Sequence, residues 1–402
     1  MRNSKHFLLF ILVGLFVGCN TTPENPEQFS NPTASNSVYP HLYSTGDQLY
    51  MSWITKNDGK THSLNYASYS SDEWSTPKTI ATDSTWFVNW ADFPSIIADK
   101  NGPIAAHWLK LKNTGPLAYD VLISTVKSND WTDTIIPHND GTSTEHGFVS
   151  MIPWDSDSFL AVWLDGRQTE GRSDEDYYNI DSAMTLRGAL INRNGNIEQQ
   201  FLIDNAVCDC CPTSLVKTSD GAIVAYRNRT NNEIRDIYTS QFNGKEWTNP
   251  KVVYNDGWEI GACPVNGPKL AAEDSLVAIA WHTGTNGNPT AKYAYSMNNG
   301  TSFSEPVILN KGTSLGRVDA EIYRGISYLS WMEKTEAKTM LKMASFSKDK
   351  PITKPNTVAN LNESRSTGFP QMEQIENNLI FAWTNPDSAQ TEVITKKMAI
   401  SP

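Results

Sequence analysis

The sequence predicts an all-β protein whose strands form a single β-propeller. It is rich in turn-forming and aromatic residues, with 24 Gly, 21 Pro, 13 Trp, 15 Tyr and 14 Phe in 402 residues. A short apolar run that ends in an aromatic residue recurs seven times, and no convincing amphipathic helix follows the N-terminal segment. These runs end 50 to 63 residues apart, at Trp53, Trp108, Trp163, Tyr226, Trp281, Trp331 and Trp383.

Each repeat has the same internal order of strand patterns. A proline-associated strand such as Phe93-Pro94 comes first, and the aromatic-ended run follows it. A third strand alternates apolar and polar residues, as in Leu64–Tyr69, and a fourth follows a turn, as in Trp74–Ile80. Four short strands in a period of ~50 residues are typical of a propeller blade. We predict seven blades, with six and an irregular edge as the alternative. Because the last repeat stops after its third strand, we expect the segment near Ser37 to help close the ring.

The N-terminus resembles the signal of a bacterial lipoprotein. Arg2 and Lys5 precede an apolar run too short to span a bilayer, which ends in Phe16-Val17-Gly18-Cys19. The resemblance implies a signal peptide over 1–18, lipidation of Cys19 by groups such as palmitate, a flexible tether over 19–37 and the propeller over 38–402. Asn20 fits export to the outer membrane, facing the periplasm or the exterior. An ordinary signal peptide with a chance cysteine is the alternative.

The charge balance excludes one class of partner. The chain carries 33 basic and 44 acidic side chains, a formal net charge of −11, and shows no basic stripe. Phosphate backbones are bound by clustered Lys and Arg, so we expect no nucleic acid partner and contact with a membrane only through the lipid anchor.

One turn resembles a motif of sialidase-like propellers. Ser296 to Phe303 is similar to a degenerate Asp-box, with Asn298 in place of the Asp and Phe303 in place of the Trp. The Arg-Ile-Pro signature of that family is absent, since no Arg precedes Phe93-Pro94. The resemblance implies a BNR-repeat propeller that binds or hydrolyses an acidic glycan and requires no cofactor. Whether this chain is catalytic stays open.

The resemblance also implies roles for residues in loops that reach one face of the propeller. A sialidase-like site uses a tyrosine nucleophile beside an acid, for which Tyr177 or Tyr178 with Glu175 are candidates, and Asp92 is the candidate general acid. Arginines grip the ligand carboxylate bidentately. The candidates for that task are Arg167, Arg227, Arg235 and Arg317. The alternative is that these arginines form salt bridges with nearby acids such as Asp165, Asp236 and Asp319.

Two further loop features suit ligands. Trp86, Trp90 and Trp258 lie in predicted inter-blade loops, where exposed rings stack on sugars; packing between blades is the alternative. An insertion over 166–181 is rich in Asp, Glu and Tyr. Its oxygen atoms suit Ca²⁺, although it lacks EF-hand spacing, and a solvated acidic loop is the alternative.

Four cysteines form the sharpest motif. Cys208, Cys210 and Cys211 lie in one inter-blade loop and Cys263 in the next, so we expect them to converge. In an exported protein disulfides are the default, and we favour a bond from Cys263 to one member of the triplet. A thiolate site for copper or zinc, or a redox centre, is the second interpretation, and free thiols the third.

These observations leave three classes of function. The preferred one is an exported, lipid-anchored propeller that binds or hydrolyses an acidic glycan. The second is a metal-binding or redox propeller built on the four cysteines. The third is a non-catalytic scaffold that presents this face to a protein.

Overall fold

Seven four-stranded antiparallel sheets form the protein, as predicted, so the seven-bladed propeller is confirmed and the six-bladed alternative is wrong. The structure is a computed structural model and describes residues 25–115, 117–173, 175–348, 352–386 and 390–400. The predicted signal peptide and Cys19 lie outside these residues.

The strands follow the predicted order within every blade. The first strands of blades 1 to 7 are Ser37–Ser44, Ser95–Asp99, His146–Pro153, Ser214–Thr218, Lys269–Glu273, Thr313–Tyr323 and Gln371–Ile375. The second strands are Leu49–Lys56, Gly102–Leu111, Ser158–Asp165, Gly221–Arg227, Leu276–Thr283, Ile326–Lys334 and Asn378–Asn385. The third strands are His62–Ser70, Tyr119–Lys127, Met184–Asn192, Ile237–Phe242, Thr290–Ser296, Thr339–Phe346 and Glu392–Ala399. The fourth are Glu73–Trp74 with Lys78–Asp83, then Asp130–Trp131, Ile197–Val207, Lys251–Val252, Val307–Ile308, Asn356–Leu361 and Glu27–Gln28.

In the part of the chain that the structure describes, helices are confined to short 3₁₀ turns in the loops. They are Arg167–Thr169, Glu175–Tyr178, Ile180–Ser182, Thr285–Gly287 and Arg365–Thr367. Within the described ranges no helix has the length and apolar character needed to cross a bilayer.

The aromatic ends of the second strands lie in the core between blades. All seven aromatic-ended runs are second strands, and Trp163, Trp281 and Trp331 are fully buried. Their indole N–H groups cannot be left unpaired at such sites, and each donates to a carboxylate. The acceptors are Asp165, Asp256 and Glu333. The repeat is therefore a packing motif that fixes the spacing of the blades.

The strand that closes the ring lies in the predicted tether, and the segment near Ser37, which we expected to help close it, does not supply that strand. Glu27–Gln28 pairs with Glu392–Ala399 as the fourth strand of blade 7, whereas Ser37–Ser44 is the first strand of blade 1. Phe29, next to the closing strand, is buried against Tyr69 at 5.0 Å between ring centroids. The N-terminal end of the described chain thus joins the last blade to the first.

The Asp-box-like turn is a structural element. The Asn298 side chain accepts a hydrogen bond from the backbone N–H of Ser302, and the Ser296 hydroxyl accepts one from Gly300. Gly300 has a φ of 83°, and a β-carbon there would lie 2.2 Å from Ile223 of the neighbouring blade. The turn joins the third and fourth strands of blade 5, at the end of the blade away from the inter-blade loops.

Candidate functional site

The inter-blade loops and the loops between second and third strands share one face, which we call the top face. Loops on one face of a rigid scaffold commonly carry binding sites. Two features of this face are candidates for function: the mouth of the central channel and a cluster of cysteine thiols.

A cavity of about 520 Å³ lies in the central channel. The first strands of the blades line it, and its lining mixes polar and charged residues with apolar ones. Phe93, Phe148 and Phe369 contribute aromatic rings to the lining. Deeper in the channel, burial raises the pKa of Asp319, Glu321 and Glu373, and Lys269 pairs with Asp319 at 3.2 Å.

Two arginines without a carboxylate partner stand beside the cavity on the ring of Trp90. The Arg317 guanidinium is 5.0 Å from the ring centroid, and the exposed Arg365 guanidinium is 5.8 Å from it. Arg317 donates to the backbone carbonyls of Ser364 and Gly368. Burial and the neighbouring Arg365 lower the pKa of Arg317 to about 10. Among the described residues, no ion pair involves either arginine, which leaves two like charges uncompensated. Asp319, the partner considered for Arg317, pairs instead with Lys269.

Asp92, the candidate general acid, lines the same cavity. It is buried, one carboxyl oxygen accepts from the backbone N–H of Phe148, and the other lacks a hydrogen-bond partner. Burial raises the pKa of Asp92 well above its usual range, which favours the protonated form of the group. A β-carbon at Gly147 would lie 2.0 Å from that second oxygen, so only glycine permits this approach of the backbone.

Behind Asp92 lies a tyrosine–glutamate pair that sequence reasoning missed. The Tyr119 hydroxyl donates to Glu145, and burial raises the pKa of Glu145 to about 7. Tyr119 is fully buried and its ring stacks on Phe87 at 4.2 Å between centroids. The pair supports the wall behind Asp92. Its members lie 26 residues apart in unrelated sequence patterns, so only the fold brings them together.

Three of the four arginines predicted to bind the ligand already bind other groups of the protein. Arg227 is buried over Trp258 and donates to the backbone carbonyls of Asn266 and His282. Arg235 is buried and pairs with Glu233 at 2.6 Å, so Asp236 is not its partner. Arg167, by contrast, forms the expected pair with Asp165, at 2.7 Å.

The Arg167 pair belongs to a buried polar network on the side of blade 3. Asp140 lies 3.3 Å from Arg167 and 2.9 Å from the imidazole of His146. The rings of His146 and His138 stack at 3.8 Å between centroids, and burial lowers the pKa of His138 to about 3. Cations and hydrogen-bond donors already occupy these carboxylates, so the network fits a structural role.

The predicted tyrosine nucleophiles lie at the cysteine cluster. Tyr177 and Tyr178 belong to the 3₁₀ turn that begins at Glu175, in the insertion. The Tyr177 hydroxyl is 3.7 Å from the Cys263 sulfur, and the pKa of Tyr177 is raised to about 12, chiefly by burial. Tyr178 is 59% exposed. Among the described residues, no group of potential metal ligands includes an acid of the insertion.

The predicted aromatic platforms differ from one another. Trp86 packs on Trp108 at 5.7 Å and is buried, and Trp258 is buried beneath Arg227. Both rings are therefore packed in the protein, which is the alternative to an exposed platform for a sugar. Trp90 is half-buried and stacks on Phe369 at 5.7 Å, beside the cavity.

The structure brings the cysteines together as thiols. The sulfurs of Cys208, Cys210 and Cys211 all lie within 4.8 Å of one another, and the Arg235 guanidinium joins Cys208 to the backbone carbonyl of Ala262, next to Cys263. The closest measured pair, Cys208 and Cys211, is 3.6 Å apart. A disulfide requires about 2.05 Å. All four cysteines are free, so the disulfide favoured from the sequence is not present.

The surroundings stabilise negative charge on Cys208 and Cys263 only, since hydrogen bonds with the neighbouring thiols raise the pKa of Cys210. Hydrogen bonds with the Cys210 and Cys211 thiols, together with the Arg235 guanidinium, hold the pKa of Cys208 well below its usual range. A hydrogen bond with Cys210 lowers the pKa of Cys263. Burial raises the pKa of Cys211. The sequence identified this cluster correctly as a convergence of loops, but it could not give the state of the sulfurs.

Comparison with known proteins supports the fold alone. No family model and no curated protein matches the chain. A solved protein of unknown function from Dyadobacter fermentans aligns with a TM-score of 0.52 at 10% identity, over 94% of this chain and 99% of that one. The NanB sialidase of Streptococcus pneumoniae (a K499G mutant) aligns at 0.48 and 12% identity, over 96% of this chain and 72% of that one.

The endosialidase of phage phi92 aligns with a TM-score of 0.49 at 9% identity, over 94% of this chain and 69% of that one. Sialidases are thus among the solved structures with which this chain aligns.

Proposed function

We propose that the chain is an exported, lipid-anchored propeller that binds an acidic glycan at the mouth of its central channel. The observation that carries this proposal is the pair of arginines, Arg317 and Arg365, that share the ring of Trp90 without a carboxylate partner. They stand beside the 520 Å³ cavity, in a protein that is otherwise acidic.

The electrostatics of this pair favour an anionic ligand. Two guanidinium groups held on one ring repel each other, and a bound carboxylate relieves that repulsion. Arg317 is held in place by the carbonyls of Ser364 and Gly368, so its position is fixed before a ligand arrives. Arg365 is exposed and free to make a charge-assisted, bidentate contact.

The lining of the cavity fits a sugar. Sugars offer hydroxyl groups to polar side chains and an apolar ring face to aromatic ones. Half-buried rings of Trp90, Phe93 and Phe369 lie at the mouth, and Ser95 and Gln371 line the wall. This combination of aromatic and polar groups in a concave site is typical of ligand pockets.

Asp92 is the residue that would act if the bound glycan is cleaved. A protonated carboxyl group at the cavity wall is suited to donate a proton to a leaving glycosidic oxygen. Burial raises the pKa of Asp92, which favours the protonated form that a general acid needs. Replacing Asp92 by Asn should abolish cleavage of any glycan that the protein hydrolyses, and it should preserve glycan binding.

Lipidation of Cys19 would hold the propeller near a membrane. Only seven residues separate Cys19 from the strand that starts at Glu27, which is a path of eight Cα-to-Cα steps. A fully extended chain of that length spans at most ~28 Å. Growth of expressing cells with labelled palmitate tests the anchor: the wild-type chain should incorporate label and Cys19→Ser should not, and equal labelling of both would overturn it.

Calorimetric titration tests glycan binding. The ligands are a sialylated trisaccharide and a galacturonic acid trisaccharide, each compared with a neutral sugar of similar size. We expect at least one acidic ligand to bind, with an affinity that falls as salt rises. Arg365→Ala should weaken it about ten-fold, which is ~1.4 kcal/mol.

The matched control is Arg324→Ala. Arg324 is also exposed and lies 5.0 Å from an aromatic ring, that of Tyr323, but it belongs to a hairpin at the opposite end of blade 6. Its substitution should leave binding unchanged. The proposal is wrong if neither acidic ligand binds, or if Arg365→Ala and Arg324→Ala have the same effect.

A further inference from the structure

The cysteine cluster is a second candidate site on the top face. Three of its thiols come from one loop, between blades 3 and 4, and the fourth comes from the loop between blades 4 and 5. Cys208 and Cys211 are buried, Cys210 is half-buried and Cys263 is exposed, so the cluster has a closed base and an open side.

The separation of the sulfurs matches metal ligands better than a disulfide. A Zn–S bond of ~2.3 Å in tetrahedral geometry places two sulfurs ~3.8 Å apart. Cys208 and Cys211 are 3.6 Å apart, and the three thiols of the triplet all lie within 4.8 Å of one another. Small rotations about the side-chain bonds would bring all three to metal-ligand distances, whereas a disulfide needs a further approach of about 1.6 Å.

Charged neighbours surround the cluster and fix its geometry. Arg235 donates to the Cys208 sulfur at 3.4 Å and to the backbone carbonyl of Ala262, next to Cys263. Glu233 holds both Arg235 and Arg229 through ion pairs of 2.6 and 2.7 Å. Such an outer layer of hydrogen bonds orients ligands and tunes a metal site.

Asp209, which lies between Cys208 and Cys210 in the sequence, is also held by ion pairs. It pairs with Arg172 at 2.9 Å and with Arg229 at 3.5 Å. Arg172 and Arg229 also lie over the ring of Tyr177, at 5.2 and 5.1 Å from its centroid. The guanidinium groups of Arg172, Arg229 and Arg235 therefore lie at the cluster. Their positive charge is favourable because the thiols must carry negative charge when they bind a metal.

We propose that Cys208, Cys210, Cys211 and Cys263 form a thiolate site for one soft d¹⁰ metal ion, Cu⁺ or Zn²⁺. The ion replaces the thiol protons, and each thiol that becomes a ligand releases one proton to solvent. Soft sulfur ligands select these ions over Ca²⁺ and Mg²⁺. The triplet supplies three ligands, and Cys263 on the open side supplies the fourth.

Loading of the full-length protein under reducing, oxygen-free conditions tests the site. One sample receives Cu⁺ and another Zn²⁺, each in excess, followed by gel filtration and elemental analysis. We expect one ion per chain for at least one metal. X-ray absorption should show three or four sulfurs at about 2.3 Å around the retained ion.

Serine variants identify the ligands. Because Cys208 and Cys211 are buried, the informative variants are Cys210→Ser and Cys263→Ser, whose positions tolerate a polar group better. Each should weaken metal affinity about 100-fold or more in competition with a chelator. Cys19→Ser, which removes a cysteine outside the cluster, should retain wild-type metal content.

Three results would overturn the proposal. Wild-type protein that retains neither ion is one, and a Cys210→Ser variant that retains as much metal as Cys19→Ser is another. The third is a thiol titration that finds two fewer reactive thiols without metal, since this result would identify a disulfide. None of these results bears on glycan binding at Arg365.

Discussion

Glu373 in the central channel gives a prediction about stability and pH. Burial, opposed by Lys269 and assisted by Asp319, raises its pKa to about 8, against an ordinary value of 4.5. Between these two pH values the folded protein holds a proton that the unfolded chain has released. The free energy of unfolding should therefore be highest at the acidic end of this window and fall as the pH rises toward 8.

The size of the effect follows from one proton. A difference of one bound proton changes the free energy of unfolding by about 1.4 kcal/mol per pH unit. Between pH 5.5 and pH 7.5 the wild type should lose at most about 2 to 3 kcal/mol through Glu373. Glu373→Gln keeps the shape of the protonated group and removes this titration, so its stability should depend less steeply on pH.

Urea unfolding at pH 5.5, 6.5 and 7.5 measures the effect for both proteins. Glu376→Gln, an exposed position in the same blade, is the matched control and should keep the wild-type slope. Equal slopes for Glu373→Gln and wild type would refute the reasoning, because they would mean that Glu373 releases its proton at the same pH in both states.

Two other predictions concern packing. Gly267→Ala should destabilise the protein by about 1 to 3 kcal/mol, because the new β-carbon would lie 1.9 Å from the carbonyl oxygen of Pro212. Gly115→Ala, with nothing within 4 Å, should have little effect, and urea unfolding compares the two. Phe29→Ala should cost about 3 kcal/mol by loosening the closure of the ring, whereas Ile308→Ala at a 59% exposed position should cost far less. Similar urea midpoints for Gly267→Ala and Gly115→Ala, or for Phe29→Ala and Ile308→Ala, would contradict the packing described.

Much of the fold could be predicted because the blades repeat one pattern. A buried aromatic residue lies near the end of each second strand, and that pattern depends on local sequence alone. The closing strand was missed because Glu27–Gln28 is short and polar, with no hydrophobic periodicity. Its pairing partner lies at the other end of the chain, so nothing local reports it.

The candidate site was predicted only in part, since a residue type does not reveal its partners. Arg317 and Trp90 were chosen from the sequence and lie together, but Arg365 was missed because it belongs to a short turn without a motif. Arg227 was chosen by the same reasoning, yet its guanidinium is satisfied by backbone carbonyls, which no side-chain pattern indicates.

The measurement that tests the central claim most directly is a crystal structure of the protein with an acidic trisaccharide bound. We predict that the ligand carboxylate lies about 3 Å from the guanidinium of Arg365, with a sugar ring at the mouth of the channel beside Trp90. A ligand bound elsewhere on the propeller, with the Arg365 guanidinium left in solvent, would contradict the proposed function.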